Sequence, residues 1–510
     1  MTVQQLALAV LTLSVAHNVE STPGRPGISP RPNIVFILVD DLGFHDVGYH
    51  GSRIRTPHLD QLSADGVRLE NYYVQPMCSP TRCQLMSGRY QIHNGIQHGL
   101  FGDEQPTGLP LDSPTLADKL RESGYATHQV GKWHLGFYKQ EYMPNSRGFD
   151  SSFGFLGGHE GHYDHKMTFK HGRKFLDLRD NGQPATGQDG HHSTYMYTHR
   201  AVEVIRAHNK SKPLFLYMAY QAPHNPLEVP EVFEKPYQDI HDTDRRKYAG
   251  LVSMMDEGVA NLTQALRDNG LWDNTLLVFS TDNGGTIYYG GNNYPLRGWK
   301  FSLWEGGIRG IGFVSGGKNI SMDRGVVHKQ LMHVSDWFPT LVGVAGGSLN
   351  GTKPLDGVDQ WKSISTGVQT PRKWLLHNID SLYKKKGRKL FPHTFDTRIR
   401  AAIRVGNYKL ITGDPGNGSW IPPPEMKSAL AKVDTEKAKN NLWLFNVVDD
   451  PEEKYDLSKN QPEIVRKILD LLAKVNSTAV PAFFPPSDPQ SNPELHGGVW
   501  GPWEKNVTVD

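Results

Sequence analysis

The chain has 510 residues, 37% of them hydrophobic, with 55 Lys and Arg against 53 Asp and Glu and a formal net charge of +2. That length accommodates one large domain and a smaller one, and the ordinary apolar content excludes a fibre or a disordered chain. A balance so close to zero gives no whole-molecule field for nucleic acid or an acidic membrane surface.

The first segment of note, Leu6–Ala16, is a short apolar run closing on Ser14-Val15-Ala16. Small residues there suit signal-peptidase cleavage, so residues 1–16 are predicted to be a signal peptide. The run falls short of the roughly 20 apolar residues that a membrane span takes. Export agrees with Asn-x-Ser/Thr sequons at Asn209, Asn261, Asn319, Asn350, Asn417, Asn476 and Asn506. Cys78 and Cys83 are the only cysteines, so there is no disulfide framework.

Asn33–Val39 is apolar and rich in β-branched residues, as expected of a strand covered on both faces, and it ends in Asp40-Asp41. Thr56-Pro57 is predicted to cap and open a helix that stops at Gly66. Val67–Val74 reads as a strand, and Ser113-Pro114 opens a further helix closed by Gly124. Strands are predicted at Tyr125–Val130, Pro213–Ala219 and Leu276–Ser280. Between the last two, Asp244–Arg267 carries Leu251, Met255, Val259, Leu262 and Leu266 at helical spacing. Alternating strands and helices predict an α/β sheet with helices on both faces over residues 32–365. After that the pattern changes. Ala401–Ile411 and Leu442–Val447 read as antiparallel strands and Gln461–Val475 as an amphipathic helix. Residues 366–510 are thus predicted to form a small α+β subdomain with an extended Pro-rich surface tail from Pro481.

Chemistry-bearing residues cluster just after these strands, where open α/β sheets place their ligand sites. Asp40-Asp41 and Asp282-Asn283 offer hard oxygen ligands for Ca²⁺ or Mg²⁺. Gly131-Lys132-Trp133-His134 puts a cation and an imidazole two residues apart. Pro223-His224-Asn225-Pro226 brackets a histidine with prolines, and Arg297-Gly298-Trp299-Lys300 adds a further cation. The bland alternative is that the Asp and Asn residues cap turns and that each His or Lys is a solvated surface group. Their shared position after strands favours a common site. The run Lys384-Lys385-Lys386-Gly387-Arg388-Lys389 reads first as a solvated loop, with attraction of a sulfated polysaccharide as the alternative.

Between the first two clusters lies Cys78-Ser79-Pro80-Thr81-Arg82-Cys83-Gln84-Leu85-Met86-Ser87-Gly88-Arg89. This string resembles the sulfatase signature, and the resemblance extends from about Pro32 through the C-terminal subdomain. Three further strings, Gly291–Gly298, Ser302–Gly307 and Leu375–Asp380, are similar to the arylsulfatase B (N-acetylgalactosamine-4-sulfatase) group. The resemblance implies an alkaline-phosphatase-like large mixed sheet with a smaller C-terminal domain. It implies that Cys78 is converted to Cα-formylglycine by a formylglycine-generating enzyme in the endoplasmic reticulum. One Ca²⁺ is then implied on Asp40, Asp41, Asp282, Asn283 and modified Cys78. Arg82, Lys132, His134, His224 and Lys300 are implied as the residues that hold the hydrate and the sulfate, protonate the leaving alcohol and recycle the aldehyde. The substrate class implied is a sulfated amino sugar of a glycosaminoglycan, handled by a lysosomal or secreted glycoprotein that does not span a membrane. Arylsulfatase B relatives carry several disulfides that this chain cannot form. Two alternatives stay open: a phosphoesterase of the alkaline-phosphatase type, and a sulfated-glycan-binding protein without catalysis.

Overall fold

A computed structural model of the chain describes residues 31–427, 429–434 and 440–504. The predicted signal peptide and the sequon at Asn506 lie outside the described residues. The centre is a ten-stranded mixed sheet. Its spine is β1 (Asn33–Asp40), with β2 (Ala126–Gly131), β3 (Leu214–Pro223) and β4 (Thr275–Thr281) beside it in the order β4-β1-β3-β2, all parallel. The strand Gly312–Gly316 pairs antiparallel with β4 and makes the sheet mixed.

The unbroken apolar run of β1 is explained by its packing. Ile34, Phe36 and Leu38 enter the hydrophobic core on one face, and Val35, Ile37 and Val39 enter the core on the other. Burying each such side chain contributes roughly 1.5–3 kcal/mol, and the alternation lets one strand serve two layers. The helix Cys78–Ser87 covers the first face through Cys83, Leu85 and Met86. The 26-residue helix Thr243–Asp268 covers the second through Tyr248, Val252, Met255 and Val259.

The C-terminal unit is a four-stranded antiparallel sheet in the order Trp374–Asp380, Arg400–Val405, Tyr408–Thr412, Leu442–Asn446. Helix Pro462–Asn476 packs on it through Val465, Ile468, Leu469 and Leu472. Lys409 ties this sheet to the short helix Glu305–Ile308, which leads into the strand Gly312–Gly316 of the large one. Its ammonium is fully buried and lies 2.9 Å from Glu305 and 2.8 Å from Glu453.

Several expectations need correction. The predicted strand over Val67–Val74 is two short strands, Val67–Leu69 and Tyr72–Tyr73, which belong to different sheets. The predicted strand over Ala401–Ile411 is a hairpin turned at Gly406, which sits at φ 57°. The helix expected to open at Ser113-Pro114 starts at Leu116, because Thr115 and Asp118 form a capping box there. Thr56 does not cap the helix Pro57–Ala64, since its hydroxyl bonds Asp60 instead. The tail beyond Pro481 is not extended throughout, since it holds short helical turns at Pro489–Ser491 and Pro493–His496, and it does not stay on the surface. Trp500 and Trp503 are buried in the large core, and Arg179 Nε bonds the carbonyl of Trp500 at 2.9 Å. Five sequon asparagines (Asn209, Asn261, Asn319, Asn350, Asn417) are exposed, and Asn476 is half-buried. Among the described residues, no helix is long and apolar enough to cross a membrane.

Candidate active site

Strand register decides where the chemistry meets. Val39 of β1 pairs with Thr281 of β4, and Asp40 pairs with Pro223 of β3. Ala219 of β3 pairs with Gly131 of β2. Four parallel strands therefore end at one edge, and the residues that follow them, Asp41, Asp282, His224 and Lys132, are delivered to one place. The turn after β2 requires glycine. Gly131 has φ 100°, and a Cβ there would collide with the carbonyl oxygen of Ala219. That close approach lets Lys132 N–H bond the same carbonyl at 2.8 Å and aims its side chain inward.

Cys78 is the first residue of its helix, so the helix N-terminus faces the site and presents unpaired N–H groups and a positive dipole end to an anion. Ligand atoms of Asp40, Asp41, Cys78 and His224 lie within 4.8 Å of one another. Cys78 Sγ is 3.5 Å from Asp40 Oδ1 and 3.4 Å from Lys300 Nζ. The same Lys300 ammonium lies 2.6 Å from Asp41 Oδ1. Arg82, fully buried, bonds Asp40 Oδ2 at 3.0 Å and Asp282 Oδ2 at 2.8 Å, and Lys132 Nζ also pairs with Asp40 Oδ2. Asn283 Nδ2 donates to Asp41 Oδ1 at 2.6 Å. His224 is anchored through Nδ1 on the Asn225 carbonyl at 2.6 Å, leaving Nε2 3.6 Å from Asp41 Oδ2.

His134 stands differently from the others. Its Nε2 is 3.1 Å from both Ser79 Oγ and the Phe101 carbonyl, so it reaches the signature through Ser79 rather than through Cys78. Asp41 and His134 both adopt left-handed backbone, at φ 63° and 52°. Non-glycine residues held that way each cost of order 1–3 kcal/mol, a strain that concentrates at functional sites.

The electrostatics follow from burial. Burial raises the Cys78 thiol to about 12, with the Asp40 charge adding to the rise against Lys132 and Lys300. As a thiol, Cys78 is therefore protonated at neutral pH and a poor nucleophile. Burial also opposes ionisation of Asp40, but Lys132, His224, Arg82 and Lys300 together hold it well below the usual carboxylate range. Asp41 is raised and Asp282 reaches about 7, both chiefly through burial. Burial, aided by neighbouring lysines, holds His134 and His224 well below the ordinary imidazole value. Lys300 is pushed the other way. Burial opposes its charge, but Asp41 and the adjacent acidic groups raise it, so it stays an ammonium.

The donor set fits a hard divalent cation. Asp41 Oδ2 and Asn283 Oδ1 are buried oxygens with no hydrogen-bond partner. Such orphans cost a few kcal/mol unless something satisfies them. With Asp40 and Asp282 they make an oxygen-rich group of the kind that Ca²⁺ takes. Three carboxylates here face three cations (Arg82, Lys132, Lys300), so a divalent ion would turn the balance positive and suit an anionic ligand.

The site opens into a pocket of about 440 Å³, walled in part by His159, Phe101, Tyr289, Phe301 and Phe484. A larger cavity of about 670 Å³ lies elsewhere on the surface, between His58, Arg267 and Arg324, and holds none of these groups. All ten candidates from the sequence lie in the pocket or in the buried ion-pair network beneath it. Three nearby groups were not anticipated. Ser79 holds His134, and His159 stacks on His224 with ring centroids 5.9 Å apart. Asp103, raised by burial to about 6, accepts from Gly158 N–H at 2.9 Å. His159 was findable by the same logic as the others, since it follows the strand Ser151–Phe155. Asp103 and Phe484 carry no local signal, because they arrive from a loop and from the distant tail.

The sulfatase family model matches residues 32–348. The chain is 46% identical over 507 residues to arylsulfatase J of Mus musculus, spanning 96% of this chain and 84% of that one. It is 30% identical over 381 residues to N-acetylgalactosamine-6-sulfatase of Homo sapiens, 70% of each chain. The crystal structure of Ps i-CgsB in complex with k-i-k-neocarrahexaose is similar with a TM-score of 0.75 at 30% identity, covering 92% of this chain and 98% of that one. A match over more than half the chain, on a fold with the signature cysteine at the mouth of the sheet, shows that this chain belongs to the sulfatase family of sulfuric ester hydrolases.

Proposed function

We propose that the chain hydrolyses sulfate monoesters of sulfated amino sugars in glycosaminoglycans, of the N-acetylgalactosamine 4-sulfate type, using formylglycine made from Cys78 and one Ca²⁺. The observation that carries this reading is the convergence on Cys78 of Asp40, Asp41 and Lys300, with Arg82 and Lys132 behind them, at the floor of a sugar-sized pocket. When present, the formylglycine hydrate supplies an oxygen nucleophile for sulfur and Ca²⁺ supplies Lewis-acid assistance. The proposed ligands of the ion are Asp40, Asp41, Asp282, Asn283 and modified Cys78.

The chain's own residues divide the remaining work. Lys300, held as an ammonium, faces Cys78 and neutralises a sulfate oxygen. Arg82 and Lys132 fix Asp40, so the anion meets a preorganised field. The leaving alcohol takes its proton from Lys300, which is an ammonium, or from His224 once a bound sulfate has favoured the imidazolium; the Nδ1 proton of His224 is tied to Asn225 and its Nε2 faces the pocket. His134, through Ser79, handles the proton released when the aldehyde is regenerated. The N-acetylgalactosamine-6-sulfatase relative supports an amino-sugar substrate, and the complex of Ps i-CgsB supports a glycan ligand. Export through the endoplasmic reticulum, to a lysosome or the exterior, belongs to the same reading.

The test has two parts. Mass spectrometry of the peptide containing Cys78 should find an aldehyde, and the protein should hydrolyse 4-nitrophenyl sulfate well above 4-nitrophenyl phosphate. An active enzyme that retains a free thiol at position 78, or prefers the phosphate, overturns the reading. Comparing N-acetylgalactosamine 4-sulfate with the 6-sulfate then decides the sulfate position.

A further inference from the structure

The basic run Lys384–Lys389 and the string ending at Asp380 take on a role once the pocket rim is followed outward. Asp380 ends the strand Trp374–Asp380 of the C-terminal sheet. Its carboxylate binds His98 Nδ1 with both oxygens at 2.9 Å, and one of them also accepts from the N–H groups of Leu382 and Tyr383 at 3.1 Å. The His98 ring meets Phe484 edge-on with centroids 4.8 Å apart, and Phe484 is part of the pocket wall. Gly99 makes room for that ring, since a Cβ there would stand 3.0 Å from Phe484 Cε2.

The Arg400 guanidinium lies 4.6 Å from the centre of the Tyr383 ring and donates to the Phe301 carbonyl at 2.6 Å. Phe301 is also pocket wall. The start of the basic loop is therefore pinned between two pocket-lining aromatics by Asp380 and Arg400. Phe301 and Phe484 in the pocket wall are 48% and 43% exposed, and Tyr383, linked to Phe301 through Arg400, is 36% exposed. Five cations follow within six residues. Lys385 pairs with Asp396 at 3.5 Å, whereas Lys384, Arg388 and Lys389 are exposed and form no ion pair with any described residue.

We propose that this rim is a second subsite, which takes the next anionic sugar of a sulfated or uronic-acid-containing oligosaccharide while the reacting sulfate sits at Cys78. The rings offer flat apolar faces to the C–H side of a pyranose, and the loop offers unneutralised positive charge to its carboxylate or sulfate. The inference rests on the glycan reading above and goes further, since it makes chain length a determinant of specificity.

The experiment compares wild type with a K384A/R388A/K389A variant on 4-nitrophenyl sulfate and on a sulfated N-acetylgalactosamine–uronic acid tetrasaccharide, at low and high salt. Three exposed charges, each contributing a fraction of a kcal/mol, imply a loss of roughly tenfold in kcat/KM for the tetrasaccharide. The aryl sulfate is too small to span to the loop and should be turned over at the wild-type rate. Salt should weaken tetrasaccharide turnover by wild type more than by the variant. Equal tetrasaccharide kinetics for the two proteins, or wild-type activity on the aryl sulfate with none on the tetrasaccharide, overturns the subsite and leaves the sulfatase reading intact. Failure on both substrates overturns that reading as well.

Discussion

Cys78 sits where a nucleophile is wanted, yet burial keeps its thiol protonated up to about 12. A thiol held in that form is a poor nucleophile, which agrees with the proposed conversion of Cys78 to formylglycine. Cys78→Ala should remove turnover of an aryl sulfate by at least about 10³-fold, as loss of a nucleophile does, with little change in thermal stability. Lys300 shows the opposite logic, since its charge is stabilised by Asp41 at 2.6 Å. Lys300→Ala leaves that carboxylate buried with its cation gone and removes a charge beside the reacting group. A fall of about 10²–10³-fold in kcat on the aryl sulfate is expected, the magnitude seen when one preorganised electrostatic group is lost. At this scale most of the site was legible in the chain. Asp40, Asp41, Lys132, His134, His224, Asp282 and Asn283 each follow a strand that could be read from its apolar run. Ser79 was in plain view within the signature, but its role depends on where His134 lies, which no local pattern encodes.

Helix starts show how a neighbour can replace a local cap. The helix Pro57–Ala64 begins with Thr56 and Pro57, the expected residue types, but its free N–H groups are served from another element. Asp256, in the middle of the long helix, accepts from Leu59 N–H at 2.7 Å and from His58 N–H at 3.2 Å. Asp256→Ala should therefore cost about 1–2 kcal/mol, the size of a lost N-cap, with Asp256→Asn retaining part of it. Urea denaturation of the three proteins checks this, and equal midpoints would exclude the capping role. Propensity placed the helix correctly; only packing revealed which residue caps it.

Buried charge ties the C-terminal sheet to the helix that precedes the strand Gly312–Gly316. Lys409 serves both Glu305 and Glu453, while Tyr73 donates to Glu305 at 2.7 Å. Lys409→Met would leave Glu453 buried without its cation and Glu305 with the more distant Arg309 at 3.9 Å, so a loss of about 3–5 kcal/mol is expected in chemical denaturation. The same cluster predicts a pH dependence. Burial raises Glu453 from 4.5 to about 7, Lys409 pulls against the rise, and the Glu305 charge adds to it. A carboxyl raised on folding binds its proton more tightly in the native state. Its contribution to stability is complete below pH 4.5 and is lost as pH rises to about 7. Glu453→Gln should flatten the stability profile across that window. An unchanged slope between pH 4.5 and 7 would show that the proton is taken up elsewhere. At the same scale, the tail clamps the large domain through Trp500. Trp500→Ala should cost about 3–5 kcal/mol by opening a cavity in the core.

The sequence by itself determined the family resemblance and the order of the candidate site residues along the chain. Short apolar runs rich in β-branched residues and bounded by turn signals read as buried strands, so the polar residues after them are expected at strand ends. The cysteine signature is local enough to be read without a fold. Tertiary structure alone decided three other matters. Register aligned the ends of four strands, because parallel pairing is set by partners 88 to 242 residues away. Buried neighbours shifted the ionisation of Cys78, Asp41, Asp282 and Glu453, since desolvation depends on what surrounds a group and not on what precedes it. Packing brought Phe484 of the distant tail into the pocket wall and set Arg400 of the second sheet between Tyr383 and the Phe301 carbonyl, contacts that their own residues do not encode.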